Sequence, residues 1–163
     1  MNEKTIFILK MRGIFNLLNN IYFQIMIKCK ILTIAEDAME IMMLRRSLDA
    51  MNIFYELIEA SNSDDALIIL GRLADENKLP DVIFTDVTDS KVNGVEFLNI
   101  INSTVVLNEI PTIIITSFDT HPTMTMNLSI EILGYIRKKM NYNAYLEKLQ
   151  SFMASQNCQL KAS

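Results

Sequence analysis

Three residues that could handle a phosphoryl group follow three separate apolar runs of the sequence. Asp86 ends the run VIFTD, Thr116 ends the run TIIIT, and Lys138 follows the run YIR. A carboxylate can act as a nucleophile, while a hydroxyl and an ammonium can bind the oxygens of the group that it accepts. These residue types indicate phosphoryl transfer onto the protein itself, with Asp86 as the acceptor.

Two further acids, Glu36 and Asp37, follow the first apolar run, Lys30–Ala35. Neighbouring strands lie about 4.8 Å apart, so these carboxylates converge with Asp86 if the first and third strands are adjacent. Such a cluster repels itself unless it binds a cation or a proton. Mg²⁺ is the hard divalent cation that suits oxygen ligands of this kind. The alternative role for Asp37 is to cap the helix that follows.

The elements that position these residues alternate between short apolar runs and stretches with helical periodicity, which predicts βαβ units and a mostly parallel sheet. We count five strands and five helices, with Pro and Gly between them. In an open parallel sheet, ligands bind beyond the carboxyl ends of the strands, where the polar residues above stand. The predicted strands are Lys30–Ala35, Phe54–Ala60, Val82–Asp86, Thr112–Thr116 and Tyr135–Arg137.

Three stretches of the chain, PDVIFTDVTDSKVNGVEFL, IPTIIITS and LGYIRKKM, resemble the receiver domain of two-component response regulators. The first resembles the phosphoacceptor strand and its loop, the second the fourth strand, and the third the fifth strand. Asp86 and Thr116 are 30 residues apart, and Thr116 and Lys138 are 22 apart, both ordinary spacings for the family. The resemblance covers roughly residues 28–154 and suggests a single-domain, chemotaxis-receiver-like protein without an output domain.

The resemblance implies a doubly wound α/β fold with flavodoxin-like strand order 2-1-3-4-5 and helices on both faces. It assigns Asp86 as the phosphoacceptor, Thr116 as the switch hydroxyl, Tyr135 as the switch aromatic and Lys138 as the phosphoryl-binding lysine. It also implies Mg²⁺, with the backbone carbonyl of Thr88 joining Glu36, Asp37 and Asp86 as ligands.

The resemblance further implies a cytoplasmic signalling switch. Its phosphoryl group comes from a sensor histidine kinase or a histidine phosphotransfer protein, and it signals to an unknown downstream protein. Because the chain accepts the group on its own aspartate, we do not expect an enzyme with a separate substrate. The alternative is a degenerate receiver that acts as an interaction module without phosphorylation, but none of Asp86, Thr116 and Lys138 is lost.

Some positions depart from the family pattern. Asp89-Ser90 replaces the Met-Pro after the phosphoacceptor strand, and Lys138-Lys139 replaces the Lys-Pro pair. Counting back from Leu44 and Leu48 would pair Ala35 with Glu36 as the metal-binding position, whereas a loop one residue shorter pairs Glu36 with Asp37. We favour Glu36 and Asp37 because that pair retains both acids.

Two other families fit the residues less well. A haloacid-dehalogenase-like phosphohydrolase would use paired aspartates, but its DxD pattern lies on the first strand, whereas Asp86 and Asp89 form DxxD after the third. A flavodoxin-like FMN protein would need a glycine- or serine-rich phosphate loop after the first strand. The single histidine, His121, lies in a Pro-containing loop, so a histidine relay requires a partner protein.

Composition sets the remaining expectations. The chain has 163 residues and a net charge of −4. It therefore has no basic field for nucleic acid, and no apolar run is long enough to span a membrane. Cys29 and Cys158 lack metal-site spacing and are expected to be reduced thiols.

We divide the chain into an N-terminal extension (1–27), a receiver domain (28–154) and a C-terminal tail (155–163). The extension is either an extra helix, from about Ile14 to Ile25, or an artefact of the start site.

Overall fold

The computed structural model describes residues 10–16, 18, 29–87, 92–117 and 131–154. Within these ranges, five strands and five helices are present. The strands are β1 (Cys29–Ile34), β2 (Tyr55–Ala60), β3 (Val82–Asp86), β4 (Thr112–Thr116) and β5 (Ile132–Arg137). The helices are α1 (residues 10–16), α2 (Ala38–Ala50), α3 (Ser63–Asp75), α4 (Val92–Ser103) and α5 (Tyr142–Met153).

The five strands form one parallel sheet in the order β2-β1-β3-β4-β5, which confirms the predicted α/β fold and strand order. The helix predicted between β4 and β5, reaching to about Leu133, lies mostly in residues 118–130, outside the described ranges, and its end is wrong because Ile132 and Leu133 belong to β5. The fifth strand begins at Ile132 rather than at Tyr135. Gly134 was expected to precede it but lies inside it, where a Cβ would come within 2.2 Å of the Phe152 ring.

The hydrophobic core has two layers, one on each face of the sheet. Successive strand residues point to opposite faces, so Ile83 packs with α3 and α4, whereas Phe84 packs with α2 and α5. By the same alternation, Asp86 belongs to the α2 and α5 face. This arrangement determines which helices can reach the acceptor carboxylate.

The helices α3 and α5 begin directly after residues whose side chains cap the helix N-terminus. The side chain of Asn62 accepts a hydrogen bond from the Asp65 backbone at α3, and Asn141 accepts one from Ala144 at α5. Such caps satisfy backbone N–H groups that have no partner within the helix.

The N-terminal helix and the redox state of Cys29 both differ from what the sequence predicts. Helical residues 10–16 begin before the predicted extension helix, and their apolar side chains Met11, Ile14 and Phe15 are exposed. The expectation of a reduced Cys29 is wrong, because this buried cysteine is disulfide-bonded. Sequence spacing does not reveal which cysteines approach each other in the fold. Cys158 lies outside the described residues, and so does any structure at residues 19–28.

Gly94 brings α4 against the carboxyl end of β3. A Cβ on this residue would lie 2.7 Å from the Asp86 carbonyl oxygen and 3.3 Å from the Val87 Cα atom. Both neighbours are backbone atoms, which cannot rotate away. A glycine is therefore needed where the helix passes the acceptor strand.

We expect Gly94→Ala to lower the free energy of unfolding by about 1–3 kcal/mol, because it overpacks this contact. Gly71→Ala is the matched control, since Gly71 is also helical but has nothing within 4 Å of an added Cβ. The control should raise stability by about 0.5–1 kcal/mol through helix propensity. Urea unfolding of both variants measures the difference, and stabilisation by both would contradict the close approach.

Candidate functional site

The carboxyl ends of β3, β4 and β5 bring Asp86, Thr116 and Lys138 to one edge of the sheet. Asp86 pairs with Ile115 across β3 and β4, and Thr116 pairs with Arg137 across β4 and β5. The Lys138 backbone N–H continues this ladder by donating to the Thr116 carbonyl at 2.8 Å. The three residues predicted to act on a phosphoryl group therefore lie at adjacent strand ends.

Lys138 binds the predicted acceptor directly. Its Nζ atom donates a hydrogen bond to Asp86 Oδ2 at 2.6 Å, and both side chains are about four-fifths buried. Lys139 takes a left-handed backbone conformation with φ 64° and is exposed. The turn that follows β5 thus directs the first lysine into the site and leaves the second in solvent.

Glu40 is a site residue that the sequence analysis missed. This residue of the first turn of α2 places Oε1 2.5 Å from Lys138 Nζ, so the lysine bridges two carboxylates. A signal was present in the sequence, because Glu40 lies at helical spacing with the buried residues Leu44 and Ser47. An acid on the inner face of an amphipathic helix has to find a partner.

Each of the two carboxylates keeps one oxygen without a partner. Asp86 Oδ1 and Glu40 Oε2 are buried and have no hydrogen bond within the described part of the chain. Buried polar atoms are nearly always paired, so an oxygen left in this way marks a place for a water, an ion or a ligand. Two carboxylate oxygens suit Mg²⁺, which is usually held by one or two carboxylates together with waters and phosphate oxygens.

The charges at the site are balanced through Lys138. Burial lowers the pKa of its ammonium, but the hydrogen bonds that it donates to Asp86 and to Glu40 outweigh that effect, so the pKa lies above its usual value. The lysine therefore stays protonated between the two carboxylates. A cationic group therefore stands beside the Asp86 carboxylate.

The two acids predicted for metal binding are placed differently from Asp86. Asp37 is the N-cap of α2, and its Oδ1 accepts a hydrogen bond from the Met39 backbone at 2.8 Å, which is the alternative role considered for it. Glu36 is exposed. Among the residues that the structure describes, no three His, Cys, Asp or Glu side chains form a group that could hold a metal ion. Thr88, the fourth predicted ligand, lies outside these residues, as do Asp89 and His121.

The predicted switch residues share one face of the sheet. Thr116 is buried, and it follows Ile114 by two positions on β4, so both point towards α3 and α4. Tyr135 pairs with Ile114 in β5 and packs against the same core layer. The two predicted switch residues therefore lie on the same side of the sheet.

A cavity of about 490 Å³ adjoins the site between α2 and α5. Glu40 and Lys138 line it together with methionines of α2 and with Tyr142 and Tyr145 of α5. The Tyr145 hydroxyl is buried and has no hydrogen-bond partner among the described residues. Burial, and then the negative charge of Glu40, raise the pKa of this phenol.

Comparisons with known proteins agree with this fold. Residues 31–150 match the family model for the response regulator receiver domain. No curated protein matches the chain by sequence. No helix in the described ranges is long and apolar enough to cross a membrane.

Several solved structures share the fold at low sequence identity. The phosphorylated cyanobacterial phytochrome response regulator RcpA is 20% identical, with a TM-score of 0.65 over 78% of this chain and 95% of that one. The Mn²⁺-bound response regulator Rcp1 is also 20% identical, with a TM-score of 0.62 over 82% and 99%. The chemotaxis response regulator CheY4 of Vibrio cholerae is 21% identical, with a TM-score of 0.58 over 77% and 98%.

Proposed function

The chain belongs to the response regulator receiver domain family, and on that basis we propose that Asp86 accepts a phosphoryl group from a phosphohistidine of a sensor histidine kinase or a histidine phosphotransfer protein. The observation that carries the proposal is the 2.6 Å contact between Lys138 Nζ and Asp86 Oδ2, beside an unpartnered Oδ1. A nucleophilic carboxylate and a fixed cation are the two parts that such a transfer needs most.

The proposed step is a displacement at phosphorus. One carboxylate oxygen of Asp86 forms a P–O bond while the P–N bond of the donor phosphohistidine breaks. The departing ring nitrogen keeps the bonding electron pair, and the ring leaves as neutral imidazole, protonated at its other nitrogen. Lys138 then neutralises one phosphoryl oxygen, and the Thr116 hydroxyl donates to another. The product is an acyl phosphate on Asp86.

We propose Mg²⁺ as the metal of this site. When bound, it would neutralise negative charge on the phosphoryl oxygens. Asp86 offers a buried, unpartnered oxygen as a ligand, and the Mn²⁺-bound structure of Rcp1 supports a divalent ion in this fold. Glu36 and the Thr88 carbonyl stay predicted ligands, whereas Asp37 is engaged as the cap of α2.

The proposed output is a change of surface rather than turnover of a substrate. Movement of Thr116 would shift the packing of Tyr135 on the α3 and α4 face and so present a different surface to a downstream protein. We place this activity in the cytoplasm, where the proposed donors act. The disulfide at Cys29 is unusual for that compartment, and intact masses with and without a reductant test whether it persists.

The direct test is incubation of the purified protein with acetyl phosphate and MgCl₂, followed by intact mass spectrometry. We expect a mass increase of one phosphoryl group, removed by hydroxylamine and prevented by a chelator. Absence of labelling by both acetyl phosphate and a phosphorylated histidine domain would favour the second candidate, an interaction module that works without phosphate. The presence of both Asp86 and Lys138 in contact argues for the first.

A further inference from the structure

Just beyond β1, the position level with the acceptor carries no carboxylate. Ile34 pairs with Thr85 in the parallel ladder between β1 and β3, so Ala35 lies level with Asp86. Ala35 is buried, and its side chain is a methyl group. The acids that follow are exposed, and Asp37 is committed to the α2 cap. The position nearest to Asp86 on the neighbouring strand is therefore apolar.

Glu40 reaches the same place from the helix. Its side chain is about four-fifths buried, Oε1 contacts Lys138 Nζ, and Oε2 is buried without a partner in the described chain. Asp86 has the same pattern, with Oδ2 on the lysine and Oδ1 unpartnered. Two carboxylates that share one ammonium and each retain one buried oxygen form a ready pair of ligands for a second cation.

Tyr145 brings another buried, unpartnered polar atom to the cavity that Glu40 lines. Only 5% of this residue is exposed, yet its hydroxyl has no hydrogen-bond partner among the described residues. It lines the same cavity as Glu40 and feels the charge of that carboxylate. A buried hydroxyl donor and an unpartnered carboxylate oxygen beside one cavity are satisfied together by water bound to a cation.

We propose that Glu40 supplies the second carboxylate of a divalent-cation site centred on Asp86, replacing the acid that Ala35 does not provide. The inference rests on the proposed function for the identity of the site but concerns a ligand that comes from a helix rather than from the end of β1. In this arrangement Lys138 and the cation bind opposite oxygens of the same two carboxylates, so Asp86 and Glu40 offset two of the three positive charges.

The test is titration of each purified variant with Mn²⁺, followed by electron paramagnetic resonance of the free ion, without any phosphodonor. Glu40→Gln should weaken binding about tenfold or more, because it removes one charged ligand. Asp37→Asn is the matched control, since asparagine retains the cap, and it should bind as wild type does. Asp86→Asn should weaken binding as Glu40→Gln does.

A rescue separates a lost ligand from a damaged fold. Introducing Ala35→Asp into the Glu40→Gln chain should restore Mn²⁺ affinity, because position 35 lies level with Asp86. Any one of four outcomes would overturn the inference. Two concern the single variants, namely tight Mn²⁺ binding by Glu40→Gln or loss of binding in Asp37→Asn alone. The others are failure of the rescue and absence of Mn²⁺ binding in wild type.

The outcome is independent of phosphorylation. Wild type that binds Mn²⁺ through Glu40 but takes no phosphate from any donor would leave this inference standing while the proposed function fails. If wild type is phosphorylated and Glu40→Gln leaves the Mn²⁺ affinity unchanged, this inference fails while the proposed function stands. The Glu40→Gln chain is also compared with wild type by circular dichroism, so that weak binding is read only from a folded protein.

Discussion

Asp86→Asn is expected to abolish labelling by acetyl phosphate, with incorporation at least about a thousandfold below wild type. A carboxamide has no anionic oxygen to attack phosphorus, so the nucleophile is lost while the side-chain volume is retained. The fold should persist, because Lys138 keeps its contact with Glu40 and the apolar layers around β3 are unchanged. Intact mass spectrometry gives the label, and thermal unfolding shows that the variant is folded.

Asp81→Asn is the matched control for this variant. Asp81 directly precedes β3, at the opposite edge of the sheet, where its carboxylate accepts a hydrogen bond from the Lys30 backbone at 2.6 Å. An amide oxygen can still accept that bond, so labelling should equal that of wild type. Equal labelling of the Asp86→Asn chain, or a label that peptide mapping places on Glu40 or Asp37, would remove Asp86 from its assigned role.

The sheet was predictable because its central strands are buried on both faces. A run such as Thr112–Thr116 can stay continuously apolar only where helices cover both sides, and the structure places it between β3 and β5. The start of β5 was not predictable in this way. A glycine usually weakens a strand, and only the Phe152 ring, brought over Gly134 by α5, explains why a glycine is needed inside this one.

The site was predictable as far as strand ends determine it. Asp86 and Lys138 terminate or follow strands, so the sheet alone brings them to one edge. The helical spacing of Glu40 with Leu44 and Ser47 indicates that it faces inward, but the reach of its side chain to Lys138 leaves no sequence pattern of its own. Asp37 shows the reverse case, in which a local bond to the backbone two residues ahead competes with a distant site.

Lys138→Met should reduce the rate of phosphorylation by about a hundredfold while the protein still binds divalent cations. The variant removes the ammonium that is positioned 2.6 Å from Asp86 to neutralise a phosphoryl oxygen, and losses of one such fixed donor are of this size. It also leaves Asp86 and Glu40 as neighbouring carboxylates without their shared cation. Their repulsion should lower thermal stability in the absence of metal, and Mg²⁺ should raise the melting temperature more than it does in wild type.

Lys139→Met removes the same charge from the adjacent residue. It therefore distinguishes the contact of the Lys138 ammonium with Asp86 from the effect of net positive charge near the strand ends. Lys139 is exposed, so its replacement should leave the phosphorylation rate within about twofold of wild type and the response to Mg²⁺ unchanged. Acetyl phosphate labelling over time, with thermal unfolding at several Mg²⁺ concentrations, measures both effects on the three proteins. A silent Lys138→Met beside a slow Lys139→Met would reverse the assignment of the two lysines. Equal slowing of both would mean that net positive charge near the strand ends, rather than the contact of one ammonium with Asp86, supports the transfer.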